Sequence, residues 1–507
     1  MVAGAAVGAG AIIARNMAGS RHVRTGRLSP DGGPTSADWA KLRATLSTHT
    51  LPRPGDRSYP LAHQLFDPRF DVLHPSGIAY CGTPADVSAC LAFVKKFKLR
   101  FRVRTGGHSY AGWSSLQGGL VIDVSRMSRF VVGNGKVTVG AGMGLIHLYE
   151  NLAAHGLAIP GGSCPTVGLA GLALGGGIGV LSRQYGLTCD AIESVQIVTA
   201  DGSVRTCDST QHTDLLWASM GGGGGNFGVA TSFTMRTRQL SSLVTFFLQW
   251  PWSDASRVIG AWQSWAPNGP PELWSNMHLS SAFGASPQII SVGGTWLGTV
   301  AGAGRAIGTL ISRVGVQPGF TSVVRRTFLD AMLYEAGCSG LSVEQCNTRP
   351  GGILPRVPSF AKSDFFSKRL SPAGIQAAIS AIELARSVRG PSGGGAAIAF
   401  DALGGAVNKV HPQATAFVHR NALWDIQYST SWNAGATAGV ANAHAWLRAA
   451  YGRVHPFANG QAYQNYIDPD LKNWRSAYYA GNYARLARIK RRYDPTNLFN
   501  FPQSITA

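Results

Sequence analysis

The sequence predicts an α+β protein in two parts, a glycine-loop domain that holds a ligand and an antiparallel-sheet domain with helices on one face. Three observations carry this. The chain has 507 residues, more than one ordinary hydrophobic core organises. Its 64 glycines are nearly double the usual share of about 7%, and they cluster at 161–179 and 221–228 without a three-residue period. Near residue 240 the pattern changes from short strands between glycine turns to longer strands alternating with helices.

The elements follow in order. Residues 2–13 are apolar and Ala/Gly-rich, followed by Arg15 and Ala18-Gly19-Ser20. They resemble the apolar stretch and cleavage zone of an export signal, without a preceding positive charge. The stretch is too short to span a bilayer. The expectation is a secreted or exported protein, with a cytoplasmic one as the alternative. Residues 21–75 are polar and Pro-rich with few periodic signals. Residues 84–98 read as a helix, with Asp86 near its start.

Phe101-Arg102-Val103-Arg104 is a strand that runs into the first glycine loop, Thr105-Gly106-Gly107-His108-Ser109-Tyr110. A strand followed by a glycine turn can aim several backbone N–H groups at one anion. Strands follow at 120–123 and 137–139, then a helix at 145–155. The second loop is Pro160-Gly161-Gly162-Ser163-Cys164-Pro165-Thr166-Val167-Gly168, and residues 167–181 after it read as a tightly packed buried helix. Residues 194–206 form a hairpin around Asp201-Gly202. A third loop, Gly221 to Gly228, enters a strand at 229–236.

Beyond 240, strands are expected at 246–250, 273–282, 289–297, 396–402, 415–420 and 424–431. Helices are expected at 255–266, 301–314, 371–387 and 437–452. The segment from Trp250 to Trp274 either stacks sugars or packs the sheet, and packing is favoured. The tail is helical from 478 and stops at Asp494-Pro495. No internal repeat is evident.

The net charge of +20 raises the possibility of nucleic-acid binding. The basic residues are dispersed, however, and the dense run from Arg485 to Arg492 is interleaved with Leu486 and Ile489 like an amphipathic helix. No nucleic-acid partner is expected, and a solvated basic surface is the preferred reading. No apolar run is long enough to make an integral membrane protein. No Cys or His spacing suits zinc, so no metal is expected. Seven cysteines is an odd number, and Cys338 and Cys346 bracket a short polar segment that can close as a disulfide in an oxidising compartment.

The loop sequences 104–110, 161–168 and 221–228, with a tail running from Tyr463-Gln464-Asn465-Tyr466 through Tyr493-Asp494-Pro495-Thr496-Asn497-Leu498-Phe499 to Gln503-Ser504-Ile505, resemble the berberine bridge enzyme-like family of flavin oxidases. That family lies within the vanillyl-alcohol-oxidase superfamily, whose FAD-binding fold is of the PCMH type. The resemblance implies a leader or N-terminal segment at 1–45 and a two-part FAD-binding domain at 46–240, with its PCMH-type core at about 70–240. A substrate-binding domain follows at 241–460, and a C-terminal segment at 461–507 returns to the FAD domain.

The resemblance implies FAD bound at two points, by an 8α-histidyl bond to His108 and a 6-S-cysteinyl bond to Cys164. Two tethers hold the flavin firmly and leave its substrate face open. Arg104, Thr105, Gly106, Gly107 and Ser109 would meet the pyrophosphate. Val167, Gly168, Gly171, Gly175, Gly177, Gly225, Asn226, Gly228, Val229, Asn497 and Phe499 would line the rest of the cofactor. In the family the Val167 position gates oxygen, and a small side chain accompanies oxidase behaviour; on residue chemistry alone it is equally an ordinary packed valine. Leu172 stands where several plant relatives carry a flavin-contacting histidine.

Oxidation of an alcohol at flavin N5 needs a base over the reacting face. Tyr463, the first Tyr of the family's Tyr-x-Asn-Tyr element, is the candidate. Asp401 would assist it or orient substrate, or it simply caps a strand end. Gln427 matches a substrate-facing position that is a carboxylate in some relatives, and Gln cannot take a proton. Tyr110 and Tyr466 would be pocket walls. The function implied is an FAD-dependent oxidase acting on a hydroxyl-bearing small molecule, a sugar or a secondary metabolite, with O2 reduced to H2O2. The alternatives are a flavin dehydrogenase, a ring-forming enzyme and a non-catalytic flavin-binding protein. A monomer is expected.

Overall fold

The structure is a computed structural model that describes residues 32–284 and 287–506; the export-signal features expected at 2–20 lie outside the described residues. β1 (Gly77–Tyr80), β2 (Phe101–Arg104) and β3 (Leu120–Asp123) form a parallel sheet with β3 at its centre. The helix Pro84–Lys96 crosses between β1 and β2. Thr83 and Asp86 close a capping box at its first turn, which satisfies N–H groups the helix itself leaves unpaired. Its Val87, Leu91 and Val94 pack into the same core as Ala79 and Ile122.

The next seven strands are β4 (Phe130–Gly133), β5 (Lys136–Gly140), β6 (Leu157–Ala158), β7 (Ile192–Val198), β8 (Val204–Cys207), β9 (Val229–Arg236) and β10 (Arg238–Gln239). Five of them make an antiparallel sheet in the order β4-β5-β9-β7-β8, while β6 pairs with β10. The hairpin around Asp201-Gly202 is the β7–β8 connection, with Gly202 at φ +90°.

The second part is one seven-stranded sheet, antiparallel throughout. Its strands are β11 (Ser242–Trp250), β12 (Leu273–Ala282), β13 (Ile289–Trp296), β14 (Phe320–Thr327), β15 (Ser359–Phe366), β16 (Gly395–Ala402) and β17 (Trp424–Ser431), in the order β14-β11-β13-β12-β16-β17-β15. Strand alternation divides its faces. Ile398, Phe400, Ile426 and Tyr428 pack with residues of the helices Ala255–Trp265, Val300–Val314, Pro372–Glu383 and Val440–Val454. The intervening Ala399, Asp401 and Gln427 line a cavity on the other side. The α+β class with helices on one sheet face is thus the observed architecture.

Several local expectations need correction. Residues 167–181 are not one helix: only Leu169–Ala173 is helical, and Gly176 at φ +120° and Gly177 at φ +84° turn the chain out. A side chain there is excluded, since a Cβ on Gly179 would lie 1.7 Å from the carbonyl oxygen of Gly161. Residues 415–420 form no strand; the chain is held by hydrogen bonds from the N–H of Ala416 and Phe417 to the carbonyls of Trp217 and Met220. The tail helix is two helices, Trp474–Tyr479 and Tyr483–Tyr493, broken at Ala480 with φ +42°. The aperiodic region 21–75 holds the helix Ser36–Thr45, fixed by its own Thr35/Asp38 capping box. Cys338 and Cys346 form the expected disulfide, and Trp250, Trp262 and Trp265 are buried in the sheet–helix core.

Candidate active site

The first two glycine loops lie directly against each other. A Cβ on Gly106 would stand 2.5 Å from the Gly168 nitrogen, and one on Gly168 would stand 2.2 Å from Thr105 Cγ2. Only glycine at both positions permits this approach. Among the described residues, the backbone N–H groups of Gly106, Gly107, His108 and Ser109 find no acceptor. Such a row of free donors is a cradle for an anion.

His108 Nε2 lies 2.8 Å from Thr166 Oγ1, and its ring stacks on Phe66 with centroids 4.1 Å apart. Burial pushes its pKa down to about 4, so the imidazole is neutral. Nε2 is engaged in this contact, which leaves Nδ1 as the ring nitrogen outside it. Cys164 is exposed to the cavity although it sits deep in the molecule; burial first and Asp401 second push its thiol pKa up. The second loop is braced from beneath by Tyr149, whose hydroxyl donates to the Gly162 carbonyl at 2.6 Å.

A cavity of about 510 Å3 runs between these loops and the seven-stranded sheet, within the ~300–1,000 Å3 of cofactor and small-molecule sites. Its wall brings together Thr105, Gly106, Gly107, His108, Ser109, Tyr110, Cys164, Val167, Gly168, Gly171, Gly225, Asn226, Gly228, Asp401, Gln427, Tyr463, Tyr466 and Phe499. Five expected residues are not on it. Arg104 is buried in an ion pair with Asp123. Gly175 backs the tail, where a Cβ would collide with Asn465 Oδ1. Gly177 acts through its N–H, described below. Val229 packs in the parallel-sheet core, and Asn497 makes a turn at φ +52°.

Tyr463 is 2% exposed, and its hydroxyl oxygen accepts three hydrogen bonds, from Gly177 N–H at 2.8 Å, Ile178 N–H at 3.3 Å and Asn465 Nδ2 at 2.8 Å. Three donors exceed what a neutral phenol oxygen accommodates and suit a phenolate. Burial opposes them and leaves the pKa raised overall. Gln427 Nε2 donates to Tyr110 Oη at 2.8 Å, and the Tyr110 and Tyr466 rings are nearly parallel, at 9° and 5.7 Å. Asp401 is pushed up to about 6 by burial.

The sequence reading missed Thr166, Asn465 and, on the cavity wall, Asn276, His278, Glu335 and Trp274, the last named only as the end of a segment for which packing was favoured over sugar stacking. The last four become neighbours only through folding. Trp274, Asn276 and His278 alternate along β12, and Asn276 is paired with Asp401; Glu335 ends the helix Phe328–Glu335. Their period-two spacing was the available signal. The third glycine loop is locked by the tail: Lys490 Nζ donates to the Asn226 carbonyl, the Phe499 carbonyl and Asp494, and Ile505 N–H donates to Asn226 Oδ1.

A family model described as "FAD binding domain" matches residues 75–208, and one described as "Berberine and berberine like" matches 462–506. The chain is 32% identical to the FAD-linked oxidoreductase YgaK of Bacillus subtilis, over 85% of this chain and 91% of that protein. It is 31% identical to chitooligosaccharide oxidase of Gibberella zeae, over 85% and 87% respectively. The solved structure of berberine bridge enzyme-like 1 from Physcomitrella patens superposes with a TM-score of 0.82 at 31% identity, covering 92% of this chain and 98% of that one.

Proposed function

The chain belongs to the berberine bridge enzyme-like family of FAD-linked oxidoreductases, and from that premise we propose that it is an oxidase of hydroxyl-bearing substrates whose FAD is tethered to both His108 and Cys164. The observation that carries the reading is one cavity wall shared by a neutral histidine, an accessible thiol and a tyrosine oxygen held by three donors. Bound FAD would take hydride from the substrate carbon and pass the electrons to O2, giving H2O2.

The protein's own groups supply the rest. The free N–H groups of 106–109 would hold the pyrophosphate, and the absent Cβ atoms of Gly106 and Gly168 let the two loops close on each other beside it. Tyr463 accepts the substrate's hydroxyl proton, and the N–H groups of Gly177 and Ile178 with the Asn465 amide stabilise the oxygen that does so. Asp401 assists from the sheet floor. Gln427 cannot act as a base, so it fixes Tyr110 and orients substrate. Small Val167 leaves oxygen a path to the flavin. The substrate we favour is an oligosaccharide, supported by the likeness to chitooligosaccharide oxidase and by the polar floor of Asn276, His278 and Asp401. Export is part of the reading, supported by the Cys338–Cys346 disulfide.

The test is an anaerobic spectral screen of oligosaccharides and phenolic alcohols, followed by air. Bleaching by an oligosaccharide, then rapid recovery with peroxide formed, is the expected result. Bleaching with slow recovery identifies a dehydrogenase, and no bleaching by any donor identifies a non-catalytic flavoprotein.

A further inference from the structure

The β16–β17 register sets Asp401 directly opposite Asp425. Side chains so paired share a sheet face, with Cβ atoms about 4.5–5.5 Å apart. Asp401 reaches the cavity, whereas Asp425 is 0% exposed and neither of its carboxyl oxygens has a hydrogen-bond partner. The row continues to Asn276 beyond Asp401 and to Phe365 beyond Asp425, so no cation stands within it.

Among the described residues the other groups facing the pair bring no countercharge: His278, two residues from Asn276 on the same strand face, is kept neutral by burial. Glu335, Tyr110 and Cys164 bear on Asp401, and Tyr463 and Tyr466 bear on Asp425. Among the described residues no cation bears on either carboxyl group, and Arg326 acts on Glu335 instead. Two adjacent carboxyl groups without a cation cannot both ionise, because each desolvated charge raises the cost of the other. The fully buried member keeps the proton.

We propose that Asp425 is the protonated positioning residue of a carboxyl pair, donating its O–H to the carboxylate of Asp401 and remaining neutral beside Tyr463. The donated bond makes Asp401 a stronger acid than burial alone allows, so it is ionised at neutral pH. The neutrality matters to Tyr463, because an ionised Asp425 would oppose a negative phenolic oxygen. This inference rests on the proposed roles of Tyr463 and Asp401.

Two measurements test it. The first is the infrared spectrum of the resting flavoprotein, which needs no substrate. A protonated-carboxyl C=O band is expected at neutral pH; it should vanish in Asp425→Asn and persist, shifted, in Asp401→Asn. A band absent from the wild type, or unchanged in Asp425→Asn, overturns the proposal whatever the enzyme oxidises. The second is the pH profile of anaerobic flavin reduction. Asp425→Ala should move the acidic limb up by about one pH unit, as loss of one hydrogen bond to a carboxylate does. Asp425→Asn, which keeps a donor, should restore the limb. An unmoved limb in Asp425→Ala, or an Asn variant no better than Ala, refutes the positioning role. A band that behaves as expected while Asp401→Asn leaves reduction unchanged would instead sink the role given to Asp401.

Discussion

The imidazole of His108 and the hydroxyl of Thr166 are 2.8 Å apart, so a side chain of the second glycine loop orients the histidine of the first. The contact fixes which ring nitrogen is free. Thr166→Val should therefore lower the fraction of flavin linked through His108 while sparing the Cys164 bond. Peptide mapping by mass spectrometry reads both linkages, and an undiminished histidyl fraction would deny Thr166 this role.

Tyr463→Phe removes the oxygen on which three donors converge. Flavin reduction should slow by about 10²–10⁴-fold, the usual worth of a positioned base. The protein should stay yellow, because Tyr463 holds no part of the flavin. Reduction at the wild-type rate in anaerobic stopped flow would reject Tyr463 as the base.

Val167 lies on the cavity wall three residues after Cys164. Val167→Ile adds one methylene where oxygen is proposed to pass, so reoxidation by O2 should slow at least tenfold while anaerobic reduction changes little. Equal slowing of both half-reactions would mean that the residue only packs.

Arg420 is fully buried and grips Asp190 with two bonds of 2.8 and 2.6 Å. It ties the irregular 415–420 segment to the turn before β7. Arg420→Met leaves Asp190 without its partner, and removal of one member of a buried pair costs about 3–5 kcal/mol. Urea unfolding should show that loss, and a change below about 1 kcal/mol would assign the pair no structural weight.

Legibility followed the range of the interactions. The glycine loops, the β7–β8 hairpin and the alternating strands of the large sheet could be read because each is dictated by neighbours in sequence. The region 167–181 could not, since its apolar content matches a helix, which the positive-φ turn at Gly176 and Gly177 and the contact of Gly179 with Gly161 break. Nor could 415–420, whose β-rich composition is overridden by Arg420 reaching Asp190. In the site, His108, Cys164 and Tyr463 carried motif signals. Thr166 and Asp425 did not, because their meaning comes from partners 58 residues away along the chain and across a strand ladder.

Denaturation of the wild-type protein in acid tests the proposed double tether of the flavin. All the flavin should stay with the polypeptide, remain in part covalently held in both His108→Ala and Cys164→Ala, and be released completely only when both side chains are removed. Flavin freed from the denatured wild type, or retained by the double variant, would contradict the account.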